Sequence, residues 1–104
     1  FENEAKTLQR LPHENLIAYV GYFRYHGLFH LVMELASHTL HDAIVGRRID
    51  TPIFLKYAKM MAVGIVHLHS HQILHGDLKP VNILITEQNV IKLADLGEMR
   101  NMTT

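Results

Sequence analysis

The strongest structural constraint in this sequence lies between Asn82 and Asp95. Two short apolar runs, residues 83–85 and 90–93, flank the polar stretch 86–89, and this pattern predicts an antiparallel hairpin with a four-residue turn. Asn82 directly precedes the first run, and Asp95 follows closely after the second. Because the two ends of an antiparallel hairpin lie side by side, we expect Asn82 and Asp95 to be neighbours.

The polar residues at this end of the hairpin are suited to binding a divalent cation. Asn82 and Asp95 offer hard oxygen ligands, and magnesium takes a few such oxygens while it keeps some water and binds substrate phosphates. Asp77 lies five positions before Asn82 on the same loop, so its carboxylate can face a substrate hydroxyl while Asn82 faces the metal. Lys79 could supply a local cation. The sequence therefore predicts a magnesium clamp beside a reactive carboxylate.

The loop and the hairpin together resemble the catalytic segment of protein kinases. Residues 75–82, His-Gly-Asp-Leu-Lys-Pro-Val-Asn, are similar to the family's His-Arg-Asp-Leu-x-x-x-Asn loop. Residues 95–97, Asp-Leu-Gly, are similar to its Asp-Phe-Gly element, and the spacing between the two motifs also matches. Lys79 followed by Pro80 resembles serine/threonine-type kinases rather than tyrosine kinases.

The resemblance implies a role for each polar residue of the segment. Asp77 would be the catalytic base, and Lys79 would contact the transferred phosphate. Asn82 and Asp95 would bind the magnesium that accompanies ATP. The implied reaction is transfer of the γ-phosphoryl group of ATP to serine or threonine hydroxyls of protein substrates, in signalling.

The resemblance extends back to the start of the sequence. Glu4 is similar to the glutamate of the kinase regulatory helix, which pairs with a phosphate-binding lysine. Residues 31–36 resemble the strand and hinge that bind adenine through backbone groups. The implied nucleotide contacts are Met33 as gatekeeper, Glu34, Leu35 and Ala36 in the hinge, and Leu84 against the adenine ring. The implied members of the family's regulatory hydrophobic stack are Leu8, Tyr19, His75 and Leu96.

This family has an α+β, two-lobed fold, of which the chain would supply one part. Residues 1–36 would form part of the small lobe and the hinge, and residues 37–104 part of the large lobe through the Asp-Leu-Gly element. Apolar periodicity predicts the remaining elements. These are a helix over 1–11, a hairpin of 16–23 with 31–35 around a polar stretch at 24–27, a short helix over 40–45 capped by Ser37 or Thr39, and a long helix from an N-cap at Thr51 to about Ser70.

Several departures from the family pattern bear on activity. Gly76 stands where the family usually has an arginine that pairs with a phosphorylated activation loop, which implies activation by another route. Thr103 and Thr104 are therefore weak candidates for regulatory phosphosites. Leu96 replaces the phenylalanine of the Asp-Phe-Gly element and keeps an apolar side chain at that position. The sequence has no Gly-x-Gly-x-x-Gly loop, Val-Ala-x-Lys strand or Ala-Pro-Glu element, so we expect the fragment alone to be inactive and its long helix to expose apolar surface.

Composition limits the partners that the chain can have. Ten basic and ten acidic side chains give a formal net charge of zero, so no charge excess points to nucleic acid. No apolar stretch approaches the ~20 residues that span a bilayer. The absence of cysteine excludes disulfides and fits a reducing compartment. We expect a cytoplasmic or nuclear protein with no nucleic-acid partner and no membrane insertion.

Two other functions stay open at this level. A pseudokinase would keep the architecture as a scaffold or allosteric binding module, although retention of Asp77, Asn82 and Asp95 argues against it. A phosphotransferase acting on small molecules has a related fold and a similar His-x-Asp loop. Lys79-Pro80 and the Asp-Leu-Gly element favour protein substrates over that function.

The nine histidines raise the further possibility of a transition-metal site. His67 and His71 have the four-residue spacing of a zinc pair, but no carboxylate follows the His-Glu-x-x-His pattern. We therefore expect these histidines to be packed or loop residues.

Overall fold

The computed structural model describes residues 11–94 and the backbone of residues 100–101. The predicted helix over 1–11, with Glu4 and Leu8, lies outside the described residues except for its last position, and so does the Asp-Leu-Gly element at 95–97. The described chain is an α+β structure whose elements follow in this order: β1 (Tyr19–Tyr25), β2 (Leu28–Met33), β3 (His38–Thr39), α1 (Leu40–Val45), α2 (Thr51–Ser70), β4 (Ile73–Leu74), a 3-10 turn (Pro80–Asn82), β5 (Ile83–Ile85), β6 (Ile91–Leu93) and β7 (Arg100–Asn101).

Strands β1 and β2 form the predicted antiparallel hairpin, but with different limits. The connection consists of His26 and Gly27 alone, and both have positive φ angles, 50° and 76°. Two consecutive positive φ angles are typical of the type I′ turn, whose twist matches that of the flanking strands. The predicted limits were wrong because Arg24, assigned to the polar stretch between the strands, continues the first strand and pairs with Phe29 of the second.

Helix α1 has the predicted length, and its N-cap is Thr39 rather than Ser37. The Thr39 hydroxyl accepts a hydrogen bond from the Asp42 amide, and the Asp42 carboxylate accepts one from the Thr39 amide, both at 3.0 Å. This reciprocal capping box satisfies two backbone donors at the start of the helix. These hydrogen bonds also lower the pKa of Asp42, because they favour the ionised carboxylate.

Helix α2 ends where the sequence predicted but begins one residue earlier, because its N-cap is Asp50 rather than Thr51. The Asp50 carboxylate accepts a hydrogen bond of 2.9 Å from the Ile53 amide, and Asp50 has an extended backbone (ψ 178°). Thr51 is already the first helical residue, so its side chain cannot take the cap position. Pro52 follows within the first turn, where its missing N–H costs no hydrogen bond.

The β5–β6 hairpin and one side of α2 form the core. Strands β3, β5 and β6 make one sheet in that order. Gly64 allows α2 to approach this sheet closely, because a Cβ atom there would lie 3.0 Å from Leu93 Cδ1 and 3.1 Å from the Asn15 carbonyl oxygen. The side chains in the hairpin core are at most 2% exposed: Ile83, Ile85, Ile91 and Leu93.

The other side of α2 presents apolar side chains to solvent, as the sequence led us to expect. Phe54, Leu55 and Val66 are 59%, 61% and 65% exposed. Despite this apolar surface, none of the helices in residues 11–94 combines the length and hydropathy needed to cross a membrane.

Candidate active site

The loop between β4 and β5 is closed by contacts between its own residues. The side-chain nitrogen of Asn82 donates hydrogen bonds to the Asp77 carbonyl oxygen at 2.8 Å and to its carboxylate oxygen Oδ2 at 3.2 Å. Asn82 itself is buried, at 6% exposure. Both bonds use the amide nitrogen, so the amide oxygen of Asn82 keeps its lone pairs for a further ligand.

Lys79 lies beside the same carboxylate. Its Nζ atom is 3.6 Å from Asp77 Oδ2, and the two side chains are 54% and 36% exposed. An ion pair this exposed contributes little to folding, about 0–1 kcal/mol. The arrangement therefore places a carboxylate and an ammonium group together at the surface, where both can reach a ligand.

His75 connects this loop to the end of β6. Its Nδ1 atom accepts a hydrogen bond from the Asp77 amide at 3.1 Å, and its Nε2 atom lies 2.8 Å from the Ala94 carbonyl oxygen. An acceptor Nδ1 requires a neutral ring with the proton on Nε2, which then donates to Ala94. The intervening Gly76 has φ 87°, a left-handed conformation that glycine adopts without strain.

The sequence assigned His75 only to a hydrophobic stack and missed this bridging role. The residue is buried, at 6% exposure, and both ring nitrogens are hydrogen-bonded. Its position two residues before Asp77 was the available signal, since a ring nitrogen can bond the backbone amide two residues later. The Ala94 bond spans 19 positions and has no local signal.

The β5–β6 hairpin confirms the predicted geometry up to the last described residue before Asp95. The Ala94 amide donates to the Asn82 carbonyl oxygen at 3.0 Å, so the chain ends of the hairpin are adjacent. Strand β6 begins at Ile91 rather than Val90, because Val90 pairs with Thr86 across the turn. Asp95 follows Ala94 and lies outside the described residues, so its predicted proximity to Asn82 stays a prediction.

The predicted hinge is fixed at both ends. The Glu34 amide donates to the Ala18 carbonyl at 2.9 Å, and the Glu34 carboxylate accepts from the Ala18 amide at 2.8 Å. At the other end the Ser37 amide donates to the Ile85 carbonyl. Between them, the amides of Leu35 and Ala36 form no hydrogen bond with any residue in the described ranges.

Leu84 and Met33 lie on surfaces that adjoin this segment. Leu84 is half-buried and faces away from the core side of β5, opposite Lys92 in register. Lys92 in turn lies 3.5 Å from the Glu34 carboxylate, so Leu84 is on the side of the hairpin that meets the hinge. Met33, at the end of β2, is 42% exposed.

A complete metal site is not contained in residues 11–94. No group of three or more histidine, aspartate or glutamate side chains in that range has the arrangement to hold a metal ion. The oxygens of Asp77 and Asn82 fit the hard-donor chemistry of magnesium, and the next aspartate along the chain is Asp95.

The fold and the Asp77 loop define a protein of the kinase class. A family model described as the protein kinase domain matches residues 1–104, and the chain belongs to that family. This confirms the resemblance that the sequence motifs indicated, and it identifies the chain as part of a eukaryotic-type kinase domain with the α+β fold.

Two curated proteins that the chain resembles are kinases of different groups. Cyclin-dependent kinase-like 2 of Homo sapiens is 36% identical over 101 residues, which cover 95% of this chain and 20% of the relative. Mitogen-activated protein kinase kinase kinase 13-A of Xenopus laevis is 31% identical over 104 residues, which cover 98% of this chain and 11% of the relative. The chain thus spans a fifth or less of the length of these relatives.

Proposed function

We propose that the protein containing this chain is an ATP-dependent kinase that phosphorylates serine or threonine hydroxyls of protein substrates in signalling. The observation that carries the proposal is the pair of hydrogen bonds from Asn82 to Asp77, which hold a surface carboxylate in place beside Lys79. Phosphoryl transfer needs little covalent chemistry from side chains. It needs positioned charges and an oriented nucleophile, which this arrangement would supply.

In this proposal each polar residue of the loop has one task. Asp77 orients the substrate hydroxyl and accepts its proton, and Lys79 compensates negative charge on the transferred phosphate. The Asn82 amide oxygen and the Asp95 carboxylate bind Mg²⁺. Because the Asn82 nitrogen is committed to Asp77, one side chain would link the metal ion to the base.

The nucleotide would lie between the hinge and β5. The peptide groups of Glu34, Leu35 and Ala36 would hydrogen-bond the adenine ring. The amides of Leu35 and Ala36, which have no partner among the described residues, support this role. Leu84 would pack against the ring, with Met33 at the back of the pocket. Glu4 would pair with a phosphate-binding lysine, and the boundary between the lobes would fall between residues 36 and 37.

The deciding experiment measures phosphate transfer and nucleotide binding separately in the full-length protein. We expect Asp77→Asn to remove most transfer from ATP to a serine/threonine peptide library while nucleotide affinity changes little. Asp50→Asn is the matched control, because asparagine caps a helix as well as aspartate does. Full activity of Asp77→Asn would refute the assignment of the base.

A pseudokinase scaffold is the alternative function. It predicts that the unmodified full-length protein transfers no phosphate at any magnesium concentration, whether or not it binds nucleotide. Transfer to a small-molecule alcohol but not to peptides would instead identify a phosphotransferase of related fold.

For the compartment we propose the cytoplasm or the nucleus, on the basis of the cysteine-free sequence. Imaging of the tagged full-length protein tests this.

A further inference from the structure

Three histidine rings lie in contact where the segment before β1 meets the last turn of α2. The centroids of His13 and His67 are 4.4 Å apart with an interplanar angle of 31°, and those of His67 and His71 are 4.8 Å apart at 65°. His67 is therefore the middle member of this group, which we call the histidine cluster. None of the three belongs to the Asp77 loop or to the hinge.

The centre of the cluster contains a polar atom that has no hydrogen-bond partner in the described part of the chain. The Nε2 atom of His67 is enclosed by the protein and makes no hydrogen bond within the described residues. A neutral ring tolerates this, because a nitrogen that lacks its proton carries no charge. A protonated ring does not, because an N–H of an imidazolium would be buried without an acceptor.

The surroundings of His67 also disfavour a positive charge. Among the described residues, the titratable groups that face it are His13 from the preceding segment and His71 at the end of its own helix, and no carboxylate joins them. Burial is the largest effect that lowers the pKa of His67 below 6.5, and repulsion from the two neighbouring histidines adds to it. The C-terminal end of α2 attracts cations and acts on the pKa of His67 in the opposite direction.

His13 gives the cluster a second connection to the core. Its Nδ1 atom accepts a hydrogen bond of 2.9 Å from the Asn15 amide. The Asn15 side chain then donates to the Ile91 carbonyl at 3.0 Å, and the Asn15 carbonyl accepts from the Leu93 amide at 2.9 Å. The segment that carries His13 is thus part of the hydrogen-bonded edge of β6.

We propose that the histidine cluster is a proton-sensitive latch, which holds residues 11–18 against α2 and β6 when His67 is neutral and releases them when His67 is protonated. The same segment contains Ala18, which holds Glu34 at the start of the hinge. Acidification would therefore loosen the support of both the hinge and the β5–β6 hairpin. The inference concerns the stability of this segment and does not depend on catalysis.

The sign of the effect follows from proton linkage. The released state has an ordinary histidine, with a pKa near 6.5, and binds more protons than the closed state, in which the pKa of His67 is lower. The closed state is therefore fully favoured above pH 6.5 and loses stability as the pH falls below that value. One coupled proton changes the opening equilibrium by up to about tenfold between pH 7.5 and 5.5.

The test is hydrogen–deuterium exchange of residues 11–18 in the full-length protein at pH 7.5 and 5.5, with each variant compared with wild type at the same pH. We expect His67→Phe, which keeps the ring contacts but cannot be protonated, to match wild type at pH 7.5. At pH 5.5 it should be protected several-fold more than wild type, up to about tenfold. His69→Phe, an exposed position on the same helix, is the control and should follow wild type at both pH values.

Equal protection of wild type and His67→Phe at pH 5.5 would overturn the proposal. An increase in protection in His69→Phe as large as that in His67→Phe would also overturn it. If the phenylalanine variant is unfolded at pH 7.5, His67→Gln tests the same prediction with a polar side chain that does not titrate. The pH dependence of hydrogen exchange at the imidazole C2 position in the wild-type protein provides an independent measurement of the His67 pKa. A His67 pKa below 6.5 supports the latch, and a value at or above 6.5 refutes it.

Discussion

Asn82 donates both hydrogen bonds of its amide nitrogen to Asp77, one to the carbonyl oxygen and one to the carboxylate. The residue assigned to the metal and the residue assigned to the substrate hydroxyl are therefore in direct contact. A substitution at either position should affect the other, so their contributions to catalysis should not be additive.

Replacing Asn82 should separate its two proposed tasks. Asn82→Ala removes both the metal oxygen and the donor to Asp77, and we expect kcat to fall by about a hundredfold or more. Asn82→Asp keeps an oxygen ligand for the metal but replaces the amide that donates to Asp77 with a second carboxylate. Repulsion between the two carboxylates at positions 77 and 82 should raise the pKa of the pair. The pH profile of kcat at saturating magnesium measures this difference. A shifted profile in Asn82→Ala but not in Asn82→Asp would contradict the proposed contact.

Asp95→Asn should weaken magnesium-dependent nucleotide affinity, because it removes the charge of a direct metal ligand. We expect the apparent Kd for ATP to rise and to need more magnesium to recover. Nucleotide titrations at several magnesium concentrations measure this effect, with Asp50→Asn as the control for the loss of one carboxylate. An affinity that depends on magnesium in the same way as wild type would exclude Asp95 as a ligand.

The ion pair between Lys92 and Glu34 should stabilise the hinge more than an exposed pair would. The Lys92 side chain is only 13% exposed and that of Glu34 is 31% exposed. Lys92→Met should lower the free energy of unfolding by about 1–3 kcal/mol, because it leaves the Glu34 carboxylate partly buried without its cation. Thermal unfolding of the full-length protein measures this.

The exposed Lys56 provides the matched control for this pair, since Lys56→Met removes the same charge from the surface of α2. A double-mutant cycle with Glu34→Gln isolates the pairwise contribution. Equal effects of Lys92→Met and Lys56→Met would show that the pair contributes nothing beyond a surface charge.

Gly64→Ala should destabilise the protein although alanine favours helices. The added Cβ atom would lie 3.1 Å from the Asn15 carbonyl oxygen, a backbone atom that also accepts the Leu93 amide. The gain of about 1 kcal/mol in helix propensity is smaller than the 1–3 kcal/mol that is typical of overpacking. Thermal unfolding measures the difference. Gly21→Ala, with no atom within 4 Å of the added Cβ, is the control and should change stability little.

The sequence determined those parts of the structure that depend on neighbouring residues. The two apolar runs at 83–85 and 90–93, separated by four polar residues, predicted the hairpin that brings Ala94 beside Asn82, because short runs and turn length are local properties. The apolar spacing of α2 predicted the helix and its end near Ser70 for the same reason. The motif spacing also identified the family correctly.

Where two local signals competed, the sequence did not decide between them. Asp50 and Thr51 are both good capping residues, and the backbone conformation at position 50 selected the aspartate. Likewise, His26 is not a strong turn residue, and the pairing of Arg24 with Phe29 decided that the turn begins only after Tyr25.

Only the tertiary structure decided how the site is held together. The bonds from His75 to Ala94 and from Asn15 to Ile91 span 19 and 76 positions, and the contact of His13 with His67 joins two different elements. Such contacts depend on how whole elements pack, which no periodicity of a single segment encodes. The sequence therefore determined which groups carry the proposed chemistry, whereas the packing of α2, β6 and the segment before β1 determined what supports them.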